Sequence, residues 1–179
     1  MTVQSDAARG AREMLETERL SLRPFTAADG GDLFTLYGDA RVMSIRKIGL
    51  RTRAQSDTEL AGIVQHWRRH GFGLYAVFDK TTGRFLGECG LRERAPGLDE
   101  IELSYGLVPD TWGRGLAAEA AGAVLADGFA RHGLDRIYAI ARASNARSRR
   151  VMEKLGFRFL DAEQKGDVPV VRYVVEAAP

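Results

Sequence analysis

The segment richest in chemistry is Val108-Pro109-Asp110-Thr111-Trp112-Gly113-Arg114-Gly115-Leu116-Ala117-Ala118-Glu119, where a strand-like run ends, two glycines arrive two apart and a helical pattern opens. A helix N-terminus carries unpaired N–H groups and the positive end of the helix dipole, and a glycine lets anionic oxygens approach the backbone where a Cβ would block them. With no acidic side chain in the turn directly after Trp112, this stretch is expected to bind phosphate, with Arg114 adding a charge-assisted contact. The competing reading has Asp110 or Thr111 capping the helix and the glycines serving close packing. Gly113, Gly115 and Ala118 also fit the looser dinucleotide fingerprint G-x-G-x-x-A, which belongs after the first strand of a parallel βαβ unit. Here an antiparallel meander precedes it and only about sixty residues follow, too few for the second half of such a fold. No Lys-Ser or Lys-Thr follows the glycines, which excludes a nucleoside triphosphatase P-loop.

Other reactive side chains read as structural. His66 and His70 have metal-ligand spacing on a helix, but Trp67 stands where a zincin has its catalytic Glu and no third ligand is evident, so no metal is expected. Cys89 lies in a strand-like run without a nearby histidine and reads as a small buried residue. Arg147, Arg149 and Arg150 form a basic run suited to a phosphate or simply to a solvated helix face.

These residues need elements to position them. Residues 1–14 are small, polar and aperiodic and read as a mobile tail ahead of one domain spanning 15–179. Leu20 and Leu22 alternate with polar neighbours as far as Pro24, giving a first strand, and a helix capped by Thr26 carries Leu33, Phe34 and Tyr37. Thr52 and Gln55 form a capping box for a second helix whose apolar positions are Leu60, Ile63, Val64 and Trp67, ending at Gly71. Three strands follow as an antiparallel meander: Phe72–Asp79, Phe85–Arg94 after a Lys80–Gly83 turn, and Glu100–Val108 after Pro96-Gly97. A long helix is expected over Gly113–His132, a strand over Arg136–Ala141, a short helix over Asn145–Leu155, and last strands around Phe157–Leu160 and Pro169–Val175.

Composition bounds the partners. The 179 residues suit a single domain with a core that needs no staples, and one cysteine rules out an internal disulfide while fitting a reducing cytoplasm. Basic and acidic side chains number 26 and 24, a net charge of +2, which gives no case for duplex nucleic acid. Neither a membrane span nor a secretion signal is legible.

Three motifs together resemble the GNAT superfamily of N-acetyltransferases, and within it the ribosomal-protein N-terminal acetyltransferases. Thr17-Glu18-Arg19-Leu20-Ser21-Leu22-Arg23-Pro24 is similar to that group's opening strand, and Trp112–Ala120 to its acetyl-CoA pyrophosphate loop, with Trp112 where the superfamily usually has Arg or Gln. Asn145-Ala146-Arg147-Ser148 and Glu153-Lys154-Leu155-Gly156-Phe157 are similar to its last motif. The resemblance implies an α/β (α+β) domain with a mixed, mostly antiparallel sheet of about seven strands and about four helices, splayed around acetyl-CoA.

It also implies roles. The backbone of Tyr105, Gly106 and Leu107 would pair with the pantetheine arm, the N–H groups of Gly113, Arg114, Gly115, Leu116 and Ala117 would hold the pyrophosphate, and Asn145 would bind the pantetheine. Ser148 would protonate the departing thiolate. Amine acetylation needs a base, since a protonated amine has no lone pair to attack a thioester. Period-two alternation sets Glu102 beside the acetyl site, with Glu100 and Ser104 on its face and Ile101, Leu103 and Tyr105 on the other. The acceptor implied is a protein N-terminus; a polyamine, aminoglycoside or amino acid, or binding of acyl-CoA without turnover, are the rivals. Acceptor choice would reside in Arg41–Arg53 and in a loop over Asp161–Pro169, and the chain reads as monomer or homodimer.

Overall fold

The structure, a computed structural model, describes residues 14–46, 49–94 and 100–178. The expected tail, apart from Met14, and the Pro96-Gly97 turn lie outside the described residues. The strands are β1 (Leu15–Glu16), β2 (Leu20–Pro24), β3 (Leu74–Asp79), β4 (Phe85–Glu93), β5 (Ile101–Leu107), β6 (Arg136–Arg142), β7 (Arg158–Lys165) and β8 (Val168–Glu176). The helices are α1 (Gly30–Tyr37), α2 (Ala40–Met43), α3 (Arg53–His70), α4 (Leu116–His132) and α5 (Ala146–Lys154). All eight strands form one sheet in the order β1-β2-β3-β4-β5-β6-β8-β7, one more than expected because Leu15 and Glu16 pair with Leu22 and Ser21. Every pairing is antiparallel except β5 with β6.

Local chemistry accounts for most boundaries. Thr52 accepts from the Gln55 N–H and the Gln55 side chain accepts from the Thr52 N–H, so α3 starts where the capping box requires. Asp79 accepts from the N–H groups of Thr81 and Thr82 at 3.0 and 2.8 Å, closing the β3–β4 hairpin. Two expectations fail. Asp161–Pro169 is not a loop: it belongs to a β7–β8 hairpin, in which the Arg172 guanidinium grips Asp161 and also Glu163 at 2.9 Å. The long helix begins at Leu116 rather than Gly113, since Gly113 and Gly115 have φ of 77° and 79°, outside any right-handed helix.

The sheet is covered on both faces. Successive β4 residues face opposite ways: Glu88 meets Tyr37 of α1, while Leu91 lies against Gly128 of α4. The core runs through both layers, with Leu33, Leu36 and Trp67 on the helical side of one and Ala120, Val124 and Met152 in the other. Among the described residues no helix is long and apolar enough to cross a membrane.

The turn after β2 is tied down by Asp29, whose carboxylate accepts from Arg23 Nη1 and Nη2 at 2.9 and 2.7 Å and from the Thr26 N–H and hydroxyl at 2.6 and 2.9 Å. Burial alone would raise this carboxyl, but Arg23 and Thr26 outweigh it and hold it below the usual carboxylate range. Asp29→Asn is expected to cost about 1–2 kcal/mol of stability at neutral pH. Because the folded-state value is depressed, that contribution is full above the unfolded-state pKa of about 4 and is lost as pH falls through the lower folded value. Urea midpoints of the two proteins should converge as the pH drops below about 4. A gap that stays constant with pH would remove the ion pair from the account.

Candidate active site

β5 and β6 pair only at Glu102 opposite Tyr138 and Leu103 opposite Ala139. Past that point a cleft of about 590 Å³ opens, walled by Tyr105, Gly106 and Leu107, by Trp112, Gly113, Gly115, Leu116 and Ala117 at the head of α4, and by Asn145 and Ser148 of α5. It brings together every expected site residue except Arg114, whose side chain is exposed and not among the lining groups, and Glu102, which lines an adjoining cavity.

At the head of α4 a Cβ on Gly113 would meet nothing within 4 Å and one on Gly115 only Arg19 Nη2 at 3.7 Å, so the space is open and the backbone conformation is what requires glycine. No side chain caps α4: Asp110 pairs with Arg84, and the Thr111 hydroxyl donates to the Val108 carbonyl at 2.7 Å. The expectation of a first turn free of acid needs correction, because the later start of α4 brings Glu119 into it. That carboxylate accepts from the Thr17 hydroxyl at 2.6 Å and from the Arg19 N–H and Nε at 2.9 and 2.7 Å. Burial alone would raise Glu119, but these partners hold it below the usual carboxylate range, and the Arg19 guanidinium pairs with its charge. Arg19 Nη1 also donates to the Arg114 carbonyl at 3.0 Å, strapping the loop in place.

The β5 wall follows strand alternation. The Gly106 carbonyl lies against Gly87 and the Val108 N–H donates to Leu86, so these even-numbered backbone groups face β4 and those of Tyr105 and Leu107 face the cleft. Gly106 is therefore not a backbone partner for a ligand; its missing Cβ makes room for the Arg46 guanidinium, which would lie 2.2 Å from it. Trp112 Nε1 donates to the Leu107 carbonyl at 2.7 Å, and the Arg147 guanidinium stacks 4.9 Å from the indole centroid. Arg147 and Arg150 line the cleft, whereas Arg149 turns to the Tyr173 hydroxyl at 3.3 Å.

Ser148 lies within hydrogen-bonding distance, 2.8 Å, of the Tyr105 hydroxyl, which also donates to the Ser148 carbonyl at 3.1 Å. Asn145 caps α5 by accepting from the Ser148 N–H at 3.1 Å and so fixes the serine in the wall. Burial pushes the Tyr105 phenol up, leaving it protonated. The Tyr105 hydroxyl therefore stands beside Ser148 as a further group able to donate a proton, a position that the strand pattern alone does not reveal. Cys89 is fully buried and its thiol is pushed up by burial and then by Glu88, the opposite of an activated nucleophile.

On the other face of β5, Glu102 is 3 % exposed and therefore not a solvated surface carboxylate; Arg92 Nη2 is 3.8 Å away. A cavity of about 60 Å³ joins Glu102 and Ser104 to Tyr105, Asn145 and Ser148 through the gap between β5 and β6. Arg46 stands at its mouth, with Nη2 donating to Glu88 at 2.5 Å and to Ser104 at 3.3 Å, while the Tyr37 hydroxyl donates to Glu88 at 2.7 Å. Its Nη1 is buried with no hydrogen-bond partner among the described residues. Arg46 lies within the expected Arg41–Arg53 segment, but its pairing with Glu88, far away in the chain, has no signature in the sequence.

The comparisons with known proteins agree with this geometry. The model of the family described as acetyltransferase (GNAT) domain matches residues 19–158. The chain is 31% identical over 165 residues to the uncharacterized protein YkkB of Bacillus subtilis, covering 91% of this chain and 95% of that one. It is 28% identical over 151 residues to the uncharacterized N-acetyltransferase YoaA of the same species, covering 81% and 82%. RimL, a ribosomal L7/L12 alpha-N-protein acetyltransferase solved with coenzyme A, superposes with a TM-score of 0.80 over 92% of this chain and 98% of its own, at 16% identity, a likeness of fold. The chain belongs to the GNAT family of acetyltransferases and is by class an N-acetyltransferase.

Proposed function

We propose that this enzyme transfers an acetyl group from acetyl-CoA directly to a primary amine, with a protein or peptide N-terminus as the acceptor. The observation that carries the reading is the gap between β5 and β6, which joins a carboxylate on one face, Glu102, to a protonated hydroxyl pair on the other, Tyr105 with Ser148. The residues fit the donor: an uncapped helix head with open glycines suits a pyrophosphate, the Tyr105 and Leu107 edge suits an extended amide chain, and Arg147 and Arg150 suit a further phosphate.

Each side chain then has one task. Glu102, directly or through water, takes the proton that the amine must lose before its nitrogen can form the new C–N bond. As the C–S bond breaks, the Tyr105–Ser148 pair supplies a proton to the departing thiolate, and a backbone N–H of the splayed edge answers the charge developing on the acyl oxygen. Cys89, fully buried with its thiol pushed up, is no nucleophile, and the acyl group passes directly from thioester to amine. Arg46, Arg92 and Arg142 line the acceptor cavity, with Glu102 beside Arg92 and Glu88 holding Arg46 from behind, so the surroundings keep an excess of positive charge, carried by Arg142. That balance disfavours polycations such as polyamines and aminoglycosides and leaves the chain end of a peptide, or an amino acid, as the better match.

Thiol release with a panel of amines tests the reading: N-terminal peptides should be acetylated with a kcat/KM at least about tenfold above any polyamine or aminoglycoside. A polyamine as best acceptor would reverse the assignment, and binding without release to any amine would make the domain a sensor.

Gly115→Val forces a branched residue to positive φ and should raise the acetyl-CoA dissociation constant at least tenfold, about 1.4 kcal/mol, by calorimetry on a protein that still melts cooperatively. Unchanged affinity would remove the phosphate-loop assignment.

Glu102→Gln should lower kcat and flatten the acidic limb of the pH–rate profile with acetyl-CoA affinity near wild type. Tyr105→Phe and Ser148→Ala should each lower kcat tens-fold or more, be partly rescued by a thioester of a more acidic thiol, and combine non-additively. Near-normal turnover in both single variants would leave the hydroxyl pair a packing contact.

A further inference from the structure

The chain contains only three histidines, and all of them gather around Phe72: the rings of His66, His70 and His132 have centroids 5.4, 5.8 and 5.4 Å from it. His66 and His70 sit one turn apart near the end of α3 with ring centroids 4.4 Å from each other. The third ligand that the sequence did not reveal is Glu93, the last residue of β4. One ligand atom from each of His66, His70 and Glu93 lies within 4.8 Å of the others, and all three residues are half-buried. His66 is left with one ring nitrogen as an acceptor. Its Nδ1 is 2.9 Å from the Phe72 carbonyl, which only accepts, so the proton is on Nδ1 and the Nε2 lone pair points into the cluster. There it meets only the Glu93 N–H at a long 3.4 Å, and His70 Nε2 is 3.7 Å from a Glu93 carboxylate oxygen.

We infer that His66, His70 and Glu93 form a binding site for a divalent transition metal, zinc by the chemistry of its ligands. Two imidazoles and a carboxylate make a three-ligand set that leaves the fourth tetrahedral position to water. Ligand atoms around a tetrahedral ion lie closer together than these three do, so binding draws the three side chains inward. The position between the histidines that would hold a general base is Trp67, whose Nε1 donates to the Leu74 carbonyl at 2.7 Å in the core. The ion instead ties the end of α3 to the end of β4, one residue from Arg92, which pairs with Glu102. His132 is outside the site, since its Nε2 is 3.4 Å from Asp127.

Zinc titrated into tag-free, chelator-treated protein should bind one ion per chain and raise the melting temperature, and cobalt should give the visible spectrum of a tetrahedral centre. His70→Ala and Glu93→Gln should each weaken zinc binding on the order of tenfold or more, with His132→Ala at wild-type affinity. On the wild-type protein, histidine ring NMR signals read the same site without any substitution: zinc should move those of His66 and His70 and leave His132 in place. No binding, or shifts and affinities indifferent to which histidine is involved, would overturn the inference.

Discussion

The parallel contact between β5 and β6 is confined to two residue pairs, after which the right half of the sheet and the left half diverge. A wider pairing would satisfy more backbone groups internally, and the sheet forgoes them to leave the Tyr105 and Leu107 edge facing a cleft. The rest of the molecule follows from keeping that gap open. The chain between β5 and β6 is filled by α4, whose uncapped head sits at the mouth, and the return to the sheet is followed by α5, which presents Asn145 and Ser148 to the same opening.

Holding the gap open requires charge to be buried and answered locally. Glu88 is fully buried in β4, and it is answered by Tyr37 from α1 and Arg46 from beyond α2. Removing either partner of such a pair leaves an uncompensated buried charge, so the pair ties the segment after α2 to β4. Glu119 is handled by the same logic on the other side of the cleft: Thr17 and Arg19 draw its carboxylate toward the β1–β2 turn, and the head of α4 keeps its positive character. The two ion pairs therefore bracket the site, one below β5 and one beside the glycines.

The elements with local signals were legible in the sequence. The capping box of Thr52 and Gln55, the apolar stripe of α3 and the alternation of β3 to β5 all act within a few residues and emerge as read. The motifs around Gly113, Asn145 and Ser148 likewise fall in one cleft. What was not legible was non-local or too short to show a period: α2 has four residues, β1 has two, and the second half of β7, from Asp161 to Lys165, is polar except for Ala162 and so reads as a loop beyond the strand start at Phe157–Leu160. The Tyr105 phenol was hidden for a different reason. A strand tyrosine reads as packing, and only the approach of α5 across the sheet turns it toward Ser148. Arg46 with Glu88, and His66 with Glu93, are separated by tens of residues, so no spacing rule links them.

The narrow join between the two halves has a mechanical side. A plate that is cut from one edge carries its load through the uncut neck, and here the neck is Glu102 and Leu103 with their partners on β6. On one side of that neck α4 packs on β4 and β5, and it leads by chain connection into β6 on the other. The carboxylate at the neck thus sits at the point of greatest leverage, where a small spreading or closing of the halves changes its distance to everything across the gap.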